Sequence, residues 1–211
     1  MSSSILENVQ RYYTAQLRTH GATPRGVDWN SPKSQRLRFV QLLKLIDRRA
    51  PFTINDYGCG YGALADYLQD EGYSCEYRGF DISREMVDKA REVHEAMGPG
   101  SFVNEESGLT KADYTVASGI FNVKLQTEAT EWERYILQTL ATINNLSGKG
   151  FAFNVLTKYS DAEFMRPDLY YADPLFLFDH CKRKFSQSVS LIHDYPLYEF
   201  TLLVRKEQSK W

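Results

Sequence analysis

Asp56, Gly58, Gly60 and Gly62 lie within one short stretch, and Asp81 follows Asp56 by 25 residues. The stretch starts as an apolar run, Phe52-Thr53-Ile54-Asn55-Asp56-Tyr57, and passes through Gly58-Cys59-Gly60-Tyr61-Gly62 into a helical pattern. Glycines at such a turn let backbone approach a ligand closely, and the helix start beyond them offers free N–H groups. A second apolar run from Glu76 to Phe80 ends at Asp81, where a carboxylate can accept both hydroxyls of a ribose. The chemistry these types and spacings suit is binding of a nucleotide-type cofactor.

Gly58, Gly60 and Ala63 also satisfy the dinucleotide pattern G-x-G-x-x-G/A. Electrostatics separates the two readings. A nicotinamide dinucleotide would set an anionic pyrophosphate against the turn, beside the Asp56 carboxylate, and like charges repel. A carboxylate there suits a cationic ligand, such as the ammonium of a methionine moiety near a sulfonium. A tight turn with no ligand would use the same glycines, and Asp81 also reads as a cap for a helix opening at Ser83.

Asp56, Gly58, Gly60, Gly62 and Asp81 together resemble motifs I and II of the class I S-adenosylmethionine-dependent methyltransferases. The order of elements from about residue 34 to 206 resembles that family as well. The resemblance implies that Asp56 takes the methionine ammonium and that Gly58, Cys59, Gly60 and Gly62 lie under the methionine and ribose. It further implies that Asp81 holds the ribose hydroxyls, with Ile82 and Met86 on the adenine face. Glu106 is the candidate for the adenine amino group, with Asn104 and Glu105 as alternatives, because the family pattern is poorly matched there. Ser118, Gly119 and Ile120 fall beside the sulfonium and methyl. Arg38 is placed against the methionine carboxylate, which a guanidinium can grip with two hydrogen bonds, and Trp29 as a lid. Met86, Arg38 and Trp29 also read as ordinary packing or surface residues. After Asn122 this chain lacks the paired prolines common in methyltransferases acting on nucleobase amino groups, which argues against that subclass.

The elements that must position these residues alternate. Residues 5–18 read as a helix through Leu6, Val9, Tyr13 and Leu17. Ser31-Pro32 opens a helix expected to reach about Arg48, and the glycine-turn helix stops at Gly72. Ser83 starts a helix ending near Gly98, Thr130-x-x-Glu133 matches a capping box, and Gly150–Leu156 is apolar at alternate and neighbouring positions like a central strand. Such alternation implies an α/β, doubly wound, Rossmann-like, mostly parallel sheet, to which the resemblance gives seven strands. Phe185–His193 and Leu197–Arg205 have no helix between them and are expected to pair as a C-terminal antiparallel β6/β7 hairpin. The expected organisation is one domain over 1–211, with an N-terminal helix and lid over 1–33 and a substrate-cap insertion over 157–173.

Composition excludes several classes. The net charge of −2 gives no electrostatic case for nucleic acid, and no apolar run is long enough to span a bilayer. Three cysteines without a CxxC or His/Cys cluster offer no metal site and suit a reducing cytoplasm. The N-terminus lacks a signal-peptide pattern.

The reading is a cytoplasmic methyltransferase using S-adenosylmethionine, yielding S-adenosylhomocysteine, by in-line displacement onto a small-molecule acceptor. The alternatives are an NAD(P)-dependent oxidoreductase and a methyltransferase-like binding module without turnover; the oligomeric state stays open. The segment after Leu156 is long for a connection and rich in aromatics and charge, so it should roof the acceptor. Should the acceptor need a base, His193 and Tyr159 are the candidates, with His20 and His180 further options and His94 expected to face solvent.

Overall fold

The computed structural model describes residues 3–98 and 100–206. The ends of the expected 1–211 domain, Met1-Ser2 and 207–211, lie outside the described residues. In chain order the elements are α1 (Ser3–His20), α2 (Pro32–Leu43), β1 (Phe52–Tyr57), α3 (Ala63–Asp70), β2 (Cys75–Phe80) and α4 (Arg84–Val93). They continue as β3 (Phe102–Val103), β4 (Ala112–Ser118), α5 (Ala129–Asn145), β5 (Ser147–Leu156), α6 (Pro174–Lys184), β6 (Ser188–Ile192) and β7 (Glu199–Arg205).

The seven strands form one sheet in the order β3-β2-β1-β4-β5-β7-β6. β1 to β5 run parallel, and β7 is antiparallel to both β5 and β6. The β6/β7 hairpin is therefore present, in shorter strands than the sequence runs suggested. From β1 the chain winds one way to β3 and from β4 the other way, so the order reverses between β1 and β4. Ligands of open α/β sheets bind beyond the carboxyl ends of the strands at such a switch point.

Alternation within the strands divides the core into two layers. Phe151, Phe153 and Val155 of β5 join Trp132, Ile136 and Leu140 of α5 on one face. Ala152 turns to the other face, where Leu42, Leu64 and Val87 cover the sheet. Trp132, Ile136 and Leu140 are fully buried, each stabilising the α5 contact by about 1.5–3 kcal/mol.

Local chemistry sets the starts of α2, α4 and α6, each capped by a side chain. Ser31 caps α2 by accepting from the Ser34 N–H at 3.2 Å, with Pro32 at the first position. Asp173 does the same for α6 through the Leu175 N–H at 2.9 Å. Four expectations change, one being that α4 ends at Val93, with a separate 3-10 turn over Glu95–Met97 before Gly98. α2 stops at Leu43 instead of Arg48, because the N–H groups of Lys44, Leu45 and Ile46 turn back to carbonyls three residues earlier. The Thr130 capping box does not form: the N-cap lies two residues earlier, at Glu128, and makes no side-chain bond. His94 does not face solvent. Its side chain is only 7% exposed, stacked on Phe102 with Nδ1 3.5 Å from Asp66.

Candidate active site

The turn after β1 is pinned to the end of β2. The N–H groups of Gly58 and Cys59 both donate to the Phe80 carbonyl, at 2.7 and 2.9 Å. The Gly60 N–H donates to Asp81 Oδ2 at 2.9 Å, and the Ser83 N–H to Oδ1 at 2.8 Å. Gly58 has φ +86°, and a Cβ there would lie 2.2 Å from Ile120 Cγ2, so the loop after β4 closes directly on the glycine turn. Between these parts lies an inner cavity of about 380 Å³, within the range of small-ligand sites.

Two buried acids face it. Asp56 is 4% exposed, accepts from the Tyr77 hydroxyl at 2.8 Å, and is pushed up to about 7. Burial is the main cause, opposed by the Tyr77 bond and reinforced by the Asp81 charge. Asp81 is pushed up to about 6 by burial, against the pull of the Ser83 and Gly60 N–H groups. A cation or a set of hydroxyl donors entering here would relieve both. Ser118 Oγ is buried on the same cavity with no partner among the described residues. The rest of the lining is largely apolar.

The structure brings most of the sequence candidates together. Asp56, Gly58, Cys59, Gly60, Asp81 and Ile82 line the inner cavity. Met86, Glu106, Ser118, Gly119, Ile120 and Trp29 complete it. At the third strand, Glu106 accepts from Tyr57 Oη at 2.5 Å, whereas the Asn104 amide is spent on the Asp81 and Ile82 carbonyls. Cys59 is buried and its thiol pushed well above its usual range by burial, which leaves it inert.

Four candidates are placed elsewhere. Gly62 N-caps α3, and the space of its missing Cβ faces His94 and Phe102 instead of the cavity lining. Arg38 lies outside the inner lining because Glu199 of β7 claims it: Nε donates to both carboxylate oxygens, at 2.8 and 2.9 Å. Tyr159 and His193 meet at a tilt, with ring centroids 6.1 Å apart, exposed and outside both this cavity and the outer one described below. They are displaced because the β6–β7 turn lies at the sheet edge and carries His193 outward.

Sequence reading missed Tyr57, Tyr77 and the α5 pair Tyr135 and Thr139, which stand four residues apart on the helix face lining the cavity. It also missed Glu199, whose signal was a lone acid beginning a mostly apolar strand.

An outer cavity of about 600 Å³ adjoins the inner one. Tyr13, Val27, Trp29 and Gly119 line both, so these four residues form the partition. Gly119 has φ +74°, and a Cβ there would lie 2.1 Å from the Trp29 ring. The segment after β5 supplies Ser160, Phe164, Arg166, Leu169 and Tyr171 to the outer wall. Tyr170 from that segment instead packs inward, its hydroxyl on Glu133 at 3.2 Å. His20 also lines the outer cavity.

α1 forms the ceiling. Ile5, Val9 and Leu17 are buried beneath it, Leu6, Val9 and Tyr13 line the inner cavity, and Thr14 Oγ1 meets Ser83 Oγ at 2.9 Å. Tyr12 bonds Asp28, fastening α1 to the loop that presents Trp29.

Comparison with known proteins agrees with this geometry. A family model described as "Methyltransferase domain" matches residues 54–141. The Mycobacterium tuberculosis protein "Putative methyltransferase Rv1506c" is 53% identical over 164 residues, covering 78% of this chain and 99% of that protein. Among solved structures, the N-methyltransferase NodS from Bradyrhizobium japonicum WM9 with S-adenosyl-L-homocysteine aligns over 95% of this chain and all of its own, with TM-score 0.65 and 15% identity. Magnesium protoporphyrin IX methyltransferase from Synechocystis PCC 6803 with the same product aligns over 97% of this chain and 86% of its own, with TM-score 0.54 and 14% identity. At such identities the two structures establish a shared fold.

Proposed function

The chain belongs to the class I S-adenosylmethionine-dependent methyltransferases, and from that premise we propose that it methylates a small molecule held in the outer cavity. The observation behind this reading is the partition: a small-ligand cavity lined by aromatics meets the cofactor cavity at Gly119 and Trp29.

The residues present fit the cofactor. The backbone of Gly58 and Gly60 on the cavity wall, two buried acids and the unpartnered Ser118 Oγ match a ligand with a cation, a diol and a flat apolar base. Asp56 would take the ammonium, Asp81 the ribose hydroxyls, and Ile82 and Met86 the adenine face with Glu106 near its amino edge. Ser118, Gly119 and Ile120 would flank the reacting end. When bound, the cofactor supplies a methyl group on positively charged sulfur, a carbon already activated for displacement.

The protein's part is alignment and exclusion of water. Trp29 and Tyr13 at the partition would close around the reacting atoms, and an acceptor in the outer cavity would approach in line from the side away from sulfur. The described part of the lid, residues 3–33, and the cap over 157–173 are assigned to these walls of a single catalytic domain. Asp56 beside the turn disfavours a dinucleotide, whose pyrophosphate it would repel.

Thermal unfolding with S-adenosylmethionine, S-adenosylhomocysteine, NAD and NADP in parallel tests the cofactor. A ligand at 100 times its dissociation constant adds about 2.7 kcal/mol, or roughly 5 °C for a chain of this size. Incubation with methyl-labelled cofactor and a mixed small-molecule extract then tests the acceptor: label is expected in the low-molecular-weight fraction. Label retained on polypeptide would replace the small molecule with a protein acceptor, and no transfer to any fraction would favour a binding module.

A further inference from the structure

Arg38 is 7% exposed, yet it lines the outer cavity. Its Nε and Nη2 are engaged by Glu199, but Nη1 is buried with no partner among the described residues. The Trp29 ring covers one face of the guanidinium, 3.8 Å from ring centroid to Cζ, which fixes the plane of the free nitrogen. Glu199 is held in turn by Asn154 Nδ2 at 2.5 Å, and Asn154 Oδ1 accepts from the Gly119 N–H at 2.9 Å. The arginine is thus built into the sheet and connected to the loop at the partition. A buried charged donor left unpaired is costly, and natural structures satisfy such groups with protein, water or ligand.

Other donors share the cavity. Asn122 Oδ1 is occupied by the Leu156 N–H at 3.1 Å, which leaves its Nδ2 with no partner among the described residues. Tyr171 Oη accepts from the Arg166 N–H at 2.9 Å and keeps its own proton to give. Three arginines, Arg25, Arg38 and Arg166, line the space against two carboxylates, Asp28 and Glu199. Both carboxylates are already committed, to Tyr12 and to Arg38 with Asn154. Arg166 is paired with Asp168, while Arg25 at the rim has no ion pair among the described residues.

The geometry points to an acceptor that bears an oxyanion on a planar ring, the oxyanion on Arg38 Nη1 and Asn122 Nδ2 and the ring between Trp29 and Tyr171. This inference rests on the outer cavity being the acceptor site. It moves Arg38 from the cofactor carboxylate to the substrate. A carboxylate and a phosphate ester offer the same chemistry to these donors, and the probes separate them.

The test is calorimetry on the full chain. S-adenosylhomocysteine is titrated first; then benzoate, phenyl phosphate and neutral benzamide are titrated into the saturated protein. One of the two anions is expected to bind about tenfold or more tightly than benzamide. The double variant Arg38→Gln/Glu199→Gln removes both buried charges together, so neither is left unpaired. It should bind S-adenosylhomocysteine within about twofold of the parent and lose the preference for the anion. Equal binding of benzamide and both anions, or no binding of either anion at millimolar concentration, overturns the inference. A folded double variant that instead loses S-adenosylhomocysteine affinity returns Arg38 to the cofactor and also overturns it. Failure of S-adenosylhomocysteine to bind the parent is a different result, which removes the cofactor reading and this inference with it.

Discussion

The backbone N–H of Gly60 donates to Asp81 Oδ2 at 2.9 Å. The two features that mark the site in the sequence are therefore one object, since the acid after β2 fixes the glycine turn after β1. Replacing Asp81 with Ala leaves the Gly60 and Ser83 N–H groups without an acceptor and removes the carboxylate proposed to hold the ribose. S-adenosylhomocysteine affinity should fall by a few kcal/mol, about 100-fold, by calorimetry. Asp81→Asn keeps one oxygen and should lose less. Unchanged affinity in the Ala variant would sink the assignment.

The raised acids set a pH dependence. Free protein holds Asp56 and Asp81 protonated up to about 7 and about 6. The cofactor reading needs both ionised, so affinity should rise as pH goes from 5 to 8, by up to about tenfold per unit for each group below its pKa. Isothermal titration across that window checks it, and a flat profile would contradict it.

Stability of the ligand-free protein should move the other way. Both folded-state values lie above the ordinary carboxyl range, so the unfolded chain releases these protons first. The contribution of Asp56 and Asp81 is complete below about pH 4 and is lost as pH rises through about 6 and 7, an effect on the order of a few kcal/mol. Asp56→Asn keeps a partner for Tyr77 and removes the Asp56 share. Denaturant midpoints at pH 4 and pH 8 should converge in that variant relative to the parent.

Gly119→Ala combines a left-handed backbone at φ +74° with a Cβ 2.1 Å from the Trp29 ring. The backbone term alone costs about 1–2 kcal/mol, and Trp29 must move off Arg38 to make room. A lower melting temperature and weaker binding in both cavities are expected; a variant that melts and binds like the parent would show that Trp29 does not need this space.

His193→Ala and Tyr159→Phe should leave methyl transfer within about twofold, because both side chains sit outside the two cavities. A large loss of turnover with normal cofactor affinity would restore them to the mechanism.

Much of this was legible in the sequence for a physical reason. A glycine turn, an acid at a strand tip and strand–helix alternation are local patterns, and each part of the signal lies within about 30 residues. Asp56, Gly58, Gly60 and Asp81 are found that way. What escaped depends on contacts between distant segments. Arg38 meets Glu199 across 161 residues, and nothing near either residue announces the other. Gly62 shows the opposite failure: its type and spacing matched the motif, but its missing side chain faces His94. Tyr159 and His193 had suitable chemistry, but the structure places both outside the two cavities.

The shared partition has a thermodynamic consequence. Tyr13, Val27, Trp29 and Gly119 touch whatever fills either cavity, so any change of their arrangement that favours one ligand is felt by the other. Such linkage is reciprocal: the factor by which bound cofactor alters acceptor affinity is the factor by which bound acceptor alters cofactor affinity. An acceptor that binds more tightly when the spent cofactor occupies the inner cavity must tighten that spent cofactor by the same factor, so excess acceptor would hold the protein in a product-bound state.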